Sequence, residues 1–293
     1  MPRKLLTNKR ADWAKSRGHT GVMRGKRLAL PAPVASRYAA QLKALSDAMT
    51  ATTRKEIEKL FNHPDVQEHF ATSGAMDISP SAQARILTND LKNRFEQLFG
   101  RKARPLATQM VNGADNASKS SVYASLKELS GGLSLKTDIM TGTMAEFMTG
   151  TIAENVALIK SIPAEYMMKV QGAVLRSITR GKGLADLVPF FEEQEGITSR
   201  RAKNIAIDQT HKAYNGLNRG RMEKVGIKAF EWVHSGGGQR PRPMHIALSG
   251  QHFTFDKLPI IEEDGTRGIP GQAINCRCTM VPIVKFNEGQ PDV

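Results

Sequence analysis

The two cysteines of the chain, Cys276 and Cys278, form a single C-x-C pair near the C-terminus. A disulfide between them would close a very small, strained ring, so free thiols or metal ligands are expected. With His245 they offer the thiolate and imidazole groups that suit tetrahedral Zn²⁺, and His252 or His234 is a candidate for the fourth ligand. The alternative is a metal-free cluster, in which buried thiols and a hydrogen-bonded histidine lock the terminal strand to the preceding loop.

A catalytic interpretation of the same region is also possible. His245 would act as a general base, while Arg240, Arg242 or Arg277 would stabilise a phosphorane, as in small ribonuclease-like domains. However, no second acid or base partner is apparent, and Walker, dinucleotide-binding, H-E-x-x-H and nucleophile-elbow motifs are absent from the sequence. The sequence therefore predicts a protein that is not an enzyme and has no cofactor apart from the candidate zinc ion. A nuclease-like activity remains the alternative.

Positive charge is concentrated at the N-terminus of this chain, which carries a net charge of +14 over 293 residues. More than half of the excess lies in residues 1–30, where Asp12 is the one acid. The basic residues of this segment are Arg3, Lys4, Lys9, Arg10, Lys15, Arg17, Arg24, Lys26 and Arg27. Interspersed glycines disfavour one continuous helix, which predicts a flexible basic arm.

Such an arm would bind double-stranded DNA (dsDNA) through its phosphates, with affinity that falls steeply as salt rises. Trp13 would stack on a base. A flexible string of cations has no fixed geometry for reading base edges, so the expected binding is non-specific. The alternative is a solvated tail that docks on an acidic protein partner or only aids solubility.

The first half of the chain has helical periodicity. Apolar residues recur on one face over 34–60, and again over 80–129 with a break expected near Gly100. Residues 131–142 change to a rough period of two between glycines, which predicts a short extended linker. A helical hairpin or small bundle is therefore expected before residue 142.

The second half begins with shorter predicted helices, over 143–159, from Pro163 to before Gly181, and over 183–193, followed by one from Thr198 to about 225. The capping-box pattern Thr143-x-x-Glu146 opens the first of these helices, Pro163 at a first-turn position opens the second, and Gly181 follows its end.

After Gly226 the pattern favours strands, at 229–233, 253–255 and 276–281. The predicted fold class is α+β, with a mainly helical N-terminal two-thirds and a small C-terminal mixed α+β module. The predicted domains are a basic flexible arm at 1–30, a helical region at 31–142 and a C-terminal module at 143–293.

An ordered series of motifs occupies the last third of the chain. They are Arg201-Ala202-x-x-Ile205-Ala206, Asp208-Gln209-Thr210, Gly226-x-x-x-Phe230-x-Trp232, Arg240-x-Arg242-x-x-His245-x-x-x-x-Gly250, Pro270-Gly271 and Asn275-Cys276-Arg277-Cys278. In this order they resemble the minor head proteins of tailed phages, the phage Mu protein F-like or head-morphogenesis family. The resemblance covers roughly residues 143–283.

The resemblance implies a structural minor capsid protein, present in few copies in the virion and needed for head assembly. It implies the portal protein and the major capsid or scaffold proteins as partners, a place in the head interior after assembly in the host cytoplasm, and in some members ejection with the DNA. The family-motif positions expected to be structural are Trp232, Arg240, Arg242, His245, Gly250, Pro270, Cys276, Arg277 and Cys278. A packaged nuclease-like effector and a transient head-assembly factor are the alternatives. No membrane partner is expected, because no apolar run approaches the roughly 20 residues that span a bilayer.

Overall fold

The computed structural model describes residues 21–64, 66, 67, 79–129, 142–236, 241–287, 290 and 291. Helices dominate as far as residue 224, and all but one strand of a small antiparallel sheet follow, which confirms the predicted mainly helical α+β class. In chain order the elements are β1 (Gly21–Arg24), α1 (Ala32–Phe61), α2 (Pro80–Leu129), α3 (Gly142–Thr179), a 3₁₀ turn (Leu184–Asp186), α4 (Val188–Lys224), β2 (Ala229–Val233), α5 (Pro243–Ala247), β3 (His252–Thr254), β4 (Thr279–Asn287) and β5 (Gln290–Pro291).

Helix α2 runs without interruption for 50 residues, so the break predicted near Gly100 was wrong. Buried residues continue at each turn on both sides of that glycine, at Phe95, Phe99, Ala103 and Ala107. The free energy gained by burying this continuous stripe outweighs the helix propensity of glycine, which is about 1 kcal/mol less favourable than that of alanine. Pro105 also lies within the helix, on its exposed face, where the carbonyl group left without a donor can bind water.

Helices α3 and α4 correct two further boundaries. Pro163 was predicted to open a new helix, but it lies inside α3, where buried Ile159, Ile162 and Tyr166 form one stripe across it. The helices predicted at 183–193 and from Thr198 are one helix, α4, preceded by the 3₁₀ turn. In both cases a continuous buried face, spaced at three and four residues, overrides the local breakers.

The described residues group into two compact units, each built from separate stretches of the chain. One contains the residues up to Ala35, from Gln109 to Thr151 and from Ile207 onward, and the other contains Ser36–Thr108 and Ile152–Ala206. The sheet and all of the C-terminal motifs that follow residue 206 belong to the first unit. The sequence-based divisions at residues 30 and 142 stay predictions.

The sheet has the strand order β1-β4-β2-β3, with β5 also paired to β4, and all of its pairings are antiparallel. Strand β2 has its predicted bounds, and β3 begins one residue earlier than expected. The terminal strand was predicted at 276–281, but β4 begins at Thr279, so both cysteines lie in the loop before it. Because neither cysteine is part of a strand, the alternation of side chains between the two faces of a sheet does not fix the directions of the cysteine side chains.

The last part of the predicted flexible arm is ordered. Strand β1 pairs with β4, and the backbone N–H groups of Gly25 and Leu28 donate to the carbonyls of Pro282 and Met280 at 2.9 and 3.0 Å. Leu28 is fully buried. Residues 1–20 and the predicted linker at 131–142, apart from Gly142, lie outside the described residues.

Within the residues that the structure describes, no helix combines the length and the apolar character needed to cross a membrane.

Candidate functional site

The structure brings His245, Cys276 and Cys278 together as one buried cluster. The Nδ1 atom of His245, on α5, lies 3.4 Å from the Cys276 Sγ and 3.7 Å from the Cys278 Sγ. The nitrogen and the two sulfurs all lie within 4.8 Å of one another. These were the three ligands expected from the sequence, and they converge because α5 packs beside the loop that leads into β4.

The orientation of the His245 ring is fixed on its other side. Its Nε2 lies 3.0 Å from the carbonyl oxygen of Ile261, which only accepts hydrogen bonds, so Nε2 carries the proton in the neutral ring. The Nδ1 lone pair is therefore directed at the two sulfurs. Trp232 packs edge-on against the imidazole, with ring centroids 5.3 Å apart, and shields the cluster from solvent.

The two thiols titrate as a pair. A hydrogen bond from the Cys278 thiol is the main influence that lowers the pKa of Cys276, to about 6, although burial opposes it, and N–H groups of Cys278 and Gly271 add to the lowering. The same contact with Cys276 raises the pKa of Cys278, and burial raises it further. The contact between the two thiols therefore favours negative charge on Cys276 over Cys278, and the thiolate is the form of cysteine that binds metal ions.

One face of α4 holds the cysteine loop in place. The Asp208 Oδ1 accepts a hydrogen bond from the Asn275 N–H at 2.6 Å, and His211 Nδ1 lies 3.3 Å from the Cys276 carbonyl. Asn215 Nδ2 donates to the Cys278 carbonyl at 3.4 Å. Sequence reasoning placed Asp208 in a motif but missed the other two residues, although all three recur at the helical spacing of one face.

Burial lowers the pKa of His211 below its ordinary value. A neutral imidazole therefore donates to the Cys276 carbonyl from Nδ1, which makes His211 a support for the loop.

The other motif residues make structural contacts or lie at the surface. Arg242 donates from Nη1 to the Ile274 carbonyl at 3.1 Å, Gly250 has a positive φ of 81°, and Pro270 is buried. Arg277 is exposed between the two buried cysteines. Arg240 lies outside the described residues.

Neither candidate for a fourth metal ligand joins the cluster. His252 Nε2 lies 3.4 Å from Glu231, and His234 Nδ1 accepts a hydrogen bond from the Gly236 N–H at 3.1 Å. The prediction of a fourth histidine was therefore wrong. Its physical reason lies in the sheet, where Glu231 of β2 is opposite His252 of β3 and holds its side chain.

The described part of the basic arm is partly neutralised. Arg24 forms an ion pair of 2.5 Å with Glu231, and Lys26 lies 3.6 Å from Glu128, whereas Arg27 is exposed. The other predicted phosphate-binding residues lie outside the described residues, at Arg3, Lys4, Lys9, Arg10, Lys15 and Arg17.

The geometry does not favour the catalytic interpretation of His245. Its side chain is buried, one ring nitrogen faces a carbonyl and the other faces two sulfurs. A general base needs an open path to its substrate. Arg242, one of the arginines considered for charge stabilisation, is engaged with the loop backbone instead.

Comparison with known proteins agrees with the resemblance drawn from the motifs. The model of the family described as Phage Mu protein F like protein matches residues 168–281. An uncharacterized protein of Haemophilus influenzae is 30% identical over 254 residues, which are 86% of this chain and 53% of that relative. The chain therefore spans about half the length of the relative. No solved structure matches the chain. Residues 168–281, which are similar to the Phage Mu protein F-like family, contain the cysteine–histidine cluster and the α4 face that supports it.

Proposed function

We propose that this chain is a structural minor head protein of a tailed phage and acts in head morphogenesis. The observation that carries the proposal is the family match over 168–281, which spans the ordered motifs from Arg201 to Cys278. The internal contacts of this region support a structural role, because Arg242 and His245 hold the fold together. The portal protein and the major capsid or scaffold proteins are the proposed partners, and the head interior is the proposed location.

The particle itself provides the main test. The gene would be deleted from the phage and restored by the full chain, and the heads would be counted by electron microscopy and analysed by quantitative mass spectrometry before and after DNA ejection. The proposal predicts fewer complete heads without the gene, and a few copies of the protein in full heads. Loss of the protein on ejection would support association with the genome, whereas retention would support a fixed portal or capsid component. Normal heads without the gene, together with absence of the protein from particles, would overturn the proposal.

We also propose that the N-terminal cations hold packaged dsDNA through its phosphates. Because Arg24 and Lys26 have acidic neighbours, the cations expected to act are Arg27 and the six within residues 1–20. Seven phosphate contacts predict a slope of about −6 in a plot of log binding constant against log salt concentration.

Two variants test which of these cations contact phosphate. Replacing the six upstream residues by glutamine should reduce the slope to about −1, whereas replacing Arg24, Lys26 and Arg27 should change it by only about 1. Equal slopes for the two variants would refute the assignment. The same preparations, incubated with plasmid and RNA, test the nuclease-like alternative, for which cleavage by the full chain that is lost in His245→Ala would be the positive result.

A further inference from the structure

We infer that His245, Cys276 and Cys278 bind one Zn²⁺ ion that ties helix α5 to the loop before β4. The distances between the ligand atoms carry this inference. With bond lengths of about 2.3 Å to sulfur and about 2.0 Å to nitrogen, a tetrahedral zinc site places sulfur and nitrogen about 3.5 Å apart. The observed distances from the His245 Nδ1 are 3.4 and 3.7 Å. The three atoms therefore need little movement to reach one ion.

The chemistry of the three groups selects the metal. Two thiolates and one imidazole suit Zn²⁺, whereas Mg²⁺ and Ca²⁺ require oxygen ligands. A disulfide between Cys276 and Cys278 would close a strained ring across a single intervening residue. Zinc therefore explains why both sulfurs and an unprotonated imidazole nitrogen are directed at one buried point.

The surroundings resemble the outer shell of a metal site. The Nε2–H of His245 is held by the Ile261 carbonyl, which leaves Nδ1 free to bind the ion. The backbone N–H of Cys278 lies 3.4 Å from the Cys276 sulfur, a contact that stabilises negative charge on it. The ligands are thus oriented by the fold before any metal binds.

The fourth coordination position is proposed to hold water. Among the described residues, no further histidine, cysteine, aspartate or glutamate joins the cluster. Three protein ligands and a water molecule form a known arrangement for zinc. His245 and Cys276 are 31 positions apart in the sequence, so an ion bound to both would close a long loop of the C-terminal module.

The test uses the untagged full chain, purified under reducing conditions without chelator. Elemental analysis of all metals should find about one zinc per chain. After removal of zinc, titration with Co²⁺ should give visible bands of a tetrahedral site and near-ultraviolet sulfur-to-cobalt charge transfer, which saturate at about one equivalent. This spectrum identifies thiolate ligands in the natural sequence, so it does not depend on the folding of any variant.

Two variants provide the comparison. Cys276→Ser should reduce bound zinc to less than about a tenth of an equivalent after loading, and addition of chelator should no longer lower its thermal midpoint. His252→Gln, which changes a histidine of the same module that faces Glu231, should retain the zinc and the effect of the chelator.

The inference fails if the natural chain holds less than about a tenth of an equivalent of zinc after loading, or if it holds another metal instead. Cobalt binding without sulfur charge transfer would also overturn it, as would full zinc content in a folded Cys276→Ser variant.

Discussion

The buried ion pair between Asp115 on α2 and Arg221 on α4 allows a quantitative test of the packing. The two side chains are 7% and 2% exposed, and Arg221 also donates to the Ser118 hydroxyl at 2.8 Å. Lys119 lies 2.9 Å from Asp115 at the more exposed end of the group. A buried charge that loses its partner keeps its desolvation cost without the compensating attraction.

Asp115→Asn keeps the shape of the side chain but removes its charge. Breaking a buried pair costs about 3–5 kcal/mol, and because asparagine still offers an acceptor oxygen, a loss of about 3 kcal/mol is expected. Lys119→Gln is the matched control, since the Lys119 side chain is 30% exposed and its ion pair should contribute less than about 1 kcal/mol. The double variant Asp115→Asn with Arg221→Met should recover most of the loss, because no unpaired charge remains buried.

Unfolding in urea, followed by circular dichroism, measures these changes from the shift of the midpoint at constant slope. The reasoning is refuted if Asp115→Asn costs no more than Lys119→Gln, or if the double variant is less stable than Asp115→Asn alone.

The ion pair between Asp115 and Arg221 also makes the free energy of unfolding depend on pH. Burial acts to raise the pKa of Asp115, but hydrogen bonds from Arg221 and Lys119 outweigh it and hold the pKa below its ordinary value. The stabilisation is therefore fully present above the unfolded value of about 3.9 and is lost as the pH falls through the lower folded value. Below about pH 4, the free energy of unfolding should fall more steeply in the natural chain than in Asp115→Asn.

Two further predictions compare neighbouring or equivalent residues by urea unfolding. Leu28→Ala should cost about 2–5 kcal/mol because its side chain is fully buried, whereas exposed Arg27→Ala should cost less than about 0.5 kcal/mol; similar small losses in both would mean that this segment does not pack as described. Gly271→Ala and Gly250→Ala share the strain of a positive φ, 82° and 81°, worth about 1–2 kcal/mol. Only at Gly271 would the new Cβ clash with another group, the side-chain amide of Asn215. Gly271→Ala should therefore be the more destabilising by about 1 kcal/mol or more, and equal losses would contradict the contact.

The helical content and most outer bounds of the helices were predictable from the sequence, but the predicted interior breaks were mostly wrong. Apolar periodicity located the helices, whereas breaks between them were predicted at Gly100, at Pro163 and around Gly183. Only the last of these coincides with an interruption, the 3₁₀ turn before α4. A breaker costs a fixed amount at one position, while the burial that outweighs it depends on which other segment packs there, and a local pattern does not contain that information.

The spacing of Lys and Arg near the N-terminus also lacked information about which distant segments pack beside them. Lys and Arg spacing predicted one uniform arm, but Glu231 and Glu128, which face Arg24 and Lys26, lie at least 100 residues away in the sequence. A charge count cannot distinguish a cation that is free to meet phosphate from one that is already paired. Within the described residues of the arm, Arg24 and Lys26 have acidic neighbours, whereas Arg27 is exposed.

The cysteine–histidine cluster shows why the family motifs are scattered and yet form one site. The thiol and imidazole types predicted which side chains meet, since few other groups have this chemistry. What orients them came from elsewhere: Asp208 and Asn215 on α4 fix the backbone on either side of Cys276, and Ile261 fixes the ring of His245. Polar backbone groups of a buried loop need hydrogen-bond partners, and here one face of α4 supplies them, while the contact that orients His245 comes from a different segment. The residues that form and support the site are thus spread over α4, α5 and the loop before β4, so no single short motif contains them all.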